Sequence, residues 1–376
     1  APGPAVVRSV AKRIGPDPVG IAAFADALSS AKNPALIYGS GIARGEGWDT
    51  GIQLAEKLNV KVWAAPASER TPFPETHPLY AGGLPFAIAP LSKKLEGHDL
   101  AIVIGAPVFR YYPYIAGQYI PDGLRLLHIT DDPSEAGRAP VGDSLLSDPV
   151  LALEELLARV KPRKAASAGI AKQEHRMAPY PAAKTPEKKL DGAISSLELF
   201  QTLRASTPED TILVEESPSN LGELHTAWPI DKPDSFYTFA SGSLGWNLPA
   251  SIGIAMAERD SGRNRPVVVV IGDGSLQYSI QGLWTAVQHK LPILFVVARN
   301  GEYAILKSFA ELENSPGVPG LDLPGLDIVS LAKGYGCISE KVETPDAIRK
   351  VCSEAFSRDV PTVIEVPVIP TVPPLL

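Results

Sequence analysis

Residues 265–304 read RPVVVVIGDGSLQYSIQGLWTAVQHKLPILFVVARNGEYA, and their punctuation decides the fold. Five apolar residues, Val267 to Ile271, stop at Gly272-Asp273-Gly274-Ser275. An apolar pattern of helical period follows, and Leu291-Pro292 opens a second apolar run that stops at Arg299-Asn300-Gly301. Short runs rich in Val and Ile and bounded by Gly and Pro suit parallel strands covered on both faces. The segment therefore predicts strand, helix, strand: one βαβ unit.

Open α/β sheets place their ligands at the carboxyl ends of the strands, so the chemistry of this unit belongs at its two strand ends. Gly272 and Gly274 let a ligand approach the backbone closely, and a helix starting near Ser275 offers free N–H groups to an anion. Asp273 adds a hard carboxylate oxygen. Asn300, 27 residues after Asp273, ends the neighbouring strand, where its amide oxygen can face the same point. A carboxylate, an amide oxygen, a backbone carbonyl such as that of Glu302 and two phosphate oxygens suit an octahedral Mg²⁺. A Gly-Asp-Gly turn alone could be a plain loop; the Asn after a second buried strand makes it a candidate clamp for a metal diphosphate.

The whole chain has 376 residues, more than one ordinary core holds, and two domains of about 150 to 190 residues are expected. Hydrophobic residues make up 45% and charged residues 20%, the balance of a globular protein. The net charge of −7 is spread along the chain with no basic block, which argues against a nucleic-acid or anionic membrane partner. Cys337 and Cys352 make neither a metal-binding spacing nor a disulfide framework, which suits a reducing compartment. With no apolar run approaching a membrane span and no signal-peptide pattern at the start, a cytoplasmic location is expected.

Alternation of apolar helical patterns with short apolar runs predicts the fold class: α/β, two doubly wound parallel-sheet domains joined by a linker. Residues 1–17, Pro-rich and without periodicity, read as a linker leading into the first domain. Residues 18–160 read as that domain, with strands at 34–38, 60–65, 100–104 and 124–129. Its Gly39-Ser40-Gly41-Ile42-Ala43-Arg44-Gly45 segment has the spacing G-x-G-x-x-x-G, which suits a tight strand-to-helix turn better than a dinucleotide site. Residues 161–190, rich in Lys, Ala and Pro, read as the interdomain linker. Residues 191–376 form the second domain, with strands at 211–214 and 362–367, a helix opened by Pro249 and a Pro-rich, untethered tail from Pro370 to Pro374.

With these residues in view, the chain resembles the thiamine diphosphate enzymes, in which Gly-Asp-Gly is followed by an Asn pair. Arg299 replaces the first Asn, and Asn300 matches the second, the metal ligand. The stretches Glu96–Tyr114, Ser241–Gly253, Ile271–Ala286, Val318–Asp327 and Leu331–Gly336 are similar to those of benzoylformate decarboxylases. The resemblance implies thiamine diphosphate and Mg²⁺ as cofactors, with Asp273, Asn300 and the Glu302 carbonyl on the metal. It implies that Ser219, Ser275 and Tyr303, with Gly272 and Gly274, seat the diphosphate. Leu244 would wedge the cofactor into its bent form, the Gly242 carbonyl would accept from the aminopyrimidine, and Phe309 and Leu321 would line the substrate pocket.

The reaction so implied is non-oxidative decarboxylation of an aromatic 2-oxo acid, such as benzoylformate, to the aldehyde and CO₂. An acetolactate synthase-like carboligase and a non-catalytic remnant of the fold are the alternatives. Two departures stand out. The position that carries a proton-transferring His in benzoylformate decarboxylases is Tyr112 here, and a phenol with a pKa near 10 is a poorer proton carrier at neutral pH than an imidazole near 6.5. The N-terminal pyrimidine-binding domain, which brings the activating glutamate, has no counterpart. The chain is therefore expected to be a fragment or one half of the enzyme, inactive until that domain is supplied in cis or by another subunit, and the resemblance implies a homodimer or homotetramer.

Overall fold

The computed structural model describes residues 9–163, 192–373 and 375. The expected interdomain linker lies, from residue 164 onward, outside them. Two six-stranded sheets, each parallel throughout, carry the two domains. The first is built from β1 (Pro34–Tyr38), β2 (Val62–Ala64), β3 (Tyr80–Gly83), β4 (Leu100–Ile104), β5 (Arg125–Thr130) and β6 (Asp143–Leu146), in the order β3-β2-β1-β4-β5-β6. The second contains β7 (Ile212–Glu216), β8 (Phe236–Thr238), β9 (Val267–Gly272), β10 (Leu294–Arg299), β11 (Ile338–Lys341) and β12 (Thr362–Pro367), in the order β11-β12-β10-β9-β7-β8.

The central strands are apolar at every position because helices cover both faces. In β9, Val268 and Val270 enter one core cluster while Val267, Val269 and Ile271 enter the cluster on the other face. In β1, Leu36 and Tyr38 face one way and Ala35 and Ile37 the other. Four edge strands escape such a reading. β6 and β11 bury one residue in four, and β3 and β8 are short runs, Tyr-Ala-Gly-Gly and Phe-Tyr-Thr.

The order reverses once in the first sheet and twice in the second, where β12 returns to lie between β10 and β11. In the first domain the reversal lies between β1 and β4, where Gly39 packs so closely that an added Cβ would stand 2.3 Å from Ala106 Cβ and 2.4 Å from the Gly105 carbonyl. Backbone fills that crevice: the Gly41 N–H donates to Gly105 at 2.9 Å. In the second domain the first reversal lies between β7 and β9, and there the crevice is open.

Three sequence expectations change. The segment after β9 is a four-residue helix, Asp273–Leu276, then a run of turns, then a helix Gly282–Gln288. The turns keep i to i−3 hydrogen bonds, from Gln277 to Gly274, Tyr278 to Ser275 and Ser279 to Leu276, so the crossover tightens where it packs under Gly245, whose Cβ position is 2.7 Å from Tyr278 Cβ. The residues leading into the first domain are docked at Arg13, whose guanidinium makes two bonds of 2.8 and 2.9 Å to Asp148, the N-cap of helix Pro149–Arg159. The Pro-rich C-terminal stretch is tethered: the Ser308 hydroxyl donates to the Pro373 carbonyl at 2.6 Å, and Leu375 is buried. No helix among the described residues is long and apolar enough to cross a membrane.

The domains meet through residues 69–75. The Glu75 N–H donates to the Ile230 carbonyl at 2.8 Å, the Ile230 N–H returns a 2.7 Å bond to the Glu75 carboxylate, and Glu69 accepts from the Thr238 N–H at 3.0 Å. Both His225 and Glu75 are buried there, 3.1 Å apart. Burial opposes protonation of His225, but the Glu75 carboxylate outweighs it and raises the imidazole pKa.

A second buried acid ties the start of β9 to the helix before it. Glu258, on helix Asn247–Asp260, accepts from Arg265 at 2.7 and 3.1 Å and from Arg263 at 2.8 and 3.1 Å. Desolvation raises its pKa, but the two guanidiniums prevail and hold it at about 2. An acid whose pKa is depressed by folding contributes stability above its unfolded value and loses it as pH falls. Glu258→Gln is therefore expected to cost about 1–3 kcal/mol in urea denaturation at neutral pH. The difference from wild type should shrink as pH is lowered from 4.5 towards about 2.

Candidate active site

Register brings the site together. β9 lies between β7 and β10, with Ile271 opposite Glu216 and Gly272 opposite Ala298, so three adjacent strands end at one level and their loops share one crevice. That crevice is a narrow cleft. It is lined from β7 by Ser217, Pro218, Ser219 and Asn220, from β9 by Gly272 to Ser275, and from β10 by Asn300, Glu302 and Tyr303, with Leu244 facing in.

Asp273 is the link between two of these loops. Its carboxylate, 2% exposed, accepts from the Gly274 N–H at 2.9 Å and from the Gly301 N–H at 2.8 Å. Burial pushes its pKa up to about 6, against the pull of those N–H groups and of the Arg299 guanidinium. A carboxylate held dry at that cost is better satisfied by a cation. Asn300 lines the same cleft, its amide oxygen accepting from the Glu302 N–H at 3.2 Å.

Among the described residues no group of three or more His, Cys, Asp or Glu side chains could hold a metal ion. One carboxylate, one amide and one carbonyl supply half of an octahedral shell, so the donor set fits a hard divalent ion that brings oxygens of its own, as a metal diphosphate does. The hydroxyls of Ser217, Ser219 and Ser275 and the space above Gly272, where an added Cβ would meet nothing closer than Ser275 Oγ at 3.6 Å, suit the same ligand.

Of the residues singled out from the sequence, the structure gathers Ser219, Leu244, Gly272, Asp273, Gly274, Ser275, Asn300, Glu302 and Tyr303 around this cleft. Gly242 stands apart on an exposed loop at φ 75°. Tyr112 and Phe309 form a separate pair across the domain boundary, ring centroids 5.1 Å apart. Leu321 is joined to the cleft through its carbonyl, which accepts from the Tyr303 N–H at 2.8 Å.

Sequence reasoning missed the acids beneath the site. Glu216, fully buried at the end of β7, accepts from the Gly245 N–H at 2.6 Å and the Asn247 N–H at 2.8 Å, and so holds the loop that carries Leu244. Glu215 accepts from the Thr238 hydroxyl at 2.8 Å and from the Ser217 N–H. Burial raises the pKa of both. The available signal was two adjacent acids ending an apolar strand.

Two domain families match the chain. Residues 21–156 match the family described as "Thiamine pyrophosphate enzyme, central domain", and residues 220–366 match "Thiamine pyrophosphate enzyme, C-terminal TPP binding domain". The chain therefore belongs to the thiamine pyrophosphate (thiamine diphosphate) enzymes, as their middle and C-terminal domains. Within them it is similar to benzoylformate decarboxylase of Pseudomonas aeruginosa, 38% identical over 97% of this chain and 68% of that protein. The acetolactate synthase large subunit of Haemophilus influenzae is 25% identical over 88% of this chain, which spans 58% of that protein. Among solved structures, benzoylformate decarboxylase of Polynucleobacter necessarius superposes with a TM-score of 0.92 at 49% identity, covering 100% of this chain and 68% of that one. A 4-hydroxybenzoylformate decarboxylase of Rhodococcus jostii does so with a TM-score of 0.86 at 38% identity, over 97% and 66%.

Gly274 offers a local test of the cleft. A Cβ there would lie 2.3 Å from the Tyr303 ring, so Gly274→Ala must displace an aromatic that lines the site. A loss of about 1–3 kcal/mol in chemical denaturation is expected. A variant as stable as wild type would mean that Tyr303 yields freely.

Proposed function

We propose that this chain supplies the middle and diphosphate-binding domains of a thiamine diphosphate- and Mg²⁺-dependent decarboxylase that converts an aromatic 2-oxo acid such as benzoylformate to its aldehyde and CO₂. The observation that carries the reading is the meeting of Asp273 and Asn300 in one cleft with serine hydroxyls from a third strand loop. In this reading Asp273, Asn300 and the Glu302 carbonyl hold Mg²⁺, while Ser219, Ser275 and Tyr303 hold the phosphate oxygens. Leu244 braces the cofactor, and Glu216 keeps Leu244 in place through the Gly245 and Asn247 N–H groups. When bound, thiamine diphosphate supplies the electron sink that lets a 2-oxo acid lose CO₂.

The substrate side falls to the aromatic pair. Phe309 and Leu321 offer apolar surface to an aryl ring, and Tyr112 of the first domain, its ring centroid 5.1 Å from that of Phe309, brings a phenol to that surface. The remaining third of the relatives' length, in cis or from another subunit, completes the site and brings its activating acid.

Calorimetric titration with thiamine diphosphate and Mg²⁺ tests the cofactor half of this reading. Saturable binding by the wild type, lost in Asp273→Ala, is expected, and absence of binding in both proteins would sink it. The reaction is tested by co-expressing the chain with the N-terminal domain of the Pseudomonas relative. Benzaldehyde from benzoylformate is the expected product; acetolactate from pyruvate, with no aldehyde, would identify a carboligase instead.

A further inference from the structure

One lining residue of the cleft has the wrong charge for an anion. Besides Asp273, which would be spent on the metal, Glu302 is a lining residue, and its side chain, 15% exposed, brings a second carboxylate to the loop that carries Asn300. In the proposed function the carbonyl of Glu302 is useful and its side chain is not. A bare carboxylate beside a diphosphate costs affinity, because the ligand keeps excess negative charge after one divalent ion.

The structure places a cation against that carboxylate. Lys307, one turn into helix Ala304–Leu312, bonds Glu302 Oε2 and also reaches Asp322 Oδ1 at 2.7 Å. The two acids are themselves partners in an isolated antiparallel bridge, flanked by the Tyr303 N–H on the Leu321 carbonyl and the Leu323 N–H on the Gly301 carbonyl, each 2.8 Å. Lys307 thus crosses a short ladder between the loop that carries Asn300 and the loop that carries Leu321. Asp322 is largely exposed and adds little, whereas Glu302 is shielded, so the Lys307–Glu302 contact is the one that water screens least.

We propose that Lys307 is a positioning residue for the anion site: it cancels the charge of Glu302 and turns that carboxylate away from the ligand, so that the cleft accepts a magnesium diphosphate. The inference rests on the proposed function and adds a residue to it that touches neither metal nor phosphate.

The test is a double-mutant cycle read by calorimetric titration of the full chain with inorganic pyrophosphate in excess Mg²⁺. Lys307→Met should weaken binding about tenfold, and more at low ionic strength than at high. Glu302→Gln, which keeps the carbonyl and removes the charge, should bind as tightly as wild type or more so. The Lys307→Met/Glu302→Gln double variant should return to within about threefold of wild type, since removing both charges leaves nothing to cancel. A role in packing alone predicts no such rescue. Unaltered binding by Lys307→Met, or a double variant as weak as Lys307→Met, overturns the inference while wild-type binding leaves the proposed function standing. Should Lys307→Met fail to fold, weaker binding by Glu302→Gln alone still overturns it. Absence of saturable binding by the wild type overturns the proposed function and this inference together.

Discussion

The Asp273 carboxylate, buried and shared between the N–H groups of Gly274 and Gly301, ties the tip of β9 to the tip of β10. Both bonds are charge-assisted and shielded from water, so they hold the two loops at a spacing that exposed loops would not keep. Everything else in the cleft is placed relative to them. Asn300 precedes the residue that Asp273 grips, Glu302 follows it, and the parallel register that sets Gly272 opposite Ala298 makes the grip possible.

A second layer of acids supports the first. Glu216 and Glu215 end β7 at the level of the cleft and spend their oxygens on backbone N–H and hydroxyl groups of neighbouring loops. Their raised pKa values follow from burial, and their use follows from the loops they hold: 245–247 above Glu216, 217–220 beside Glu215. A crevice lined with hydroxyls and glycines needs such fixed supports, because its own residues make few contacts.

The two doubly wound domains, with different strand orders, show that a switch point can be open or closed. In the first, Gly39 and Gly105 pack backbone to backbone and the Gly41 N–H donates to the Gly105 carbonyl, so backbone occupies the crevice. In the second, the loops after β7 and β9 part, and their polar groups face a cleft. The first domain contributes instead through its surface: residues 69–75 lock onto the second domain, and Tyr112 meets Phe309 over the boundary.

The amino-acid sequence by itself determined the α/β class, the central strands and the cluster from Asp273 to Asn300. Strands buried on both faces must be apolar throughout, and a glycine turn with one acid at a strand end is a local pattern. Tertiary structure alone decided the rest. The edge strands β3, β6, β8 and β11 are short or half exposed, so their pairing comes from a neighbour already in place. Whether the turns after β9 form a helix depends on packing against Gly245, and whether the C-terminal stretch is tethered depends on Ser308. The partners of Glu216, Glu75 and Lys307 lie on other elements, and an acid or a lysine read along the chain carries no mark of which distant backbone or carboxylate it will meet.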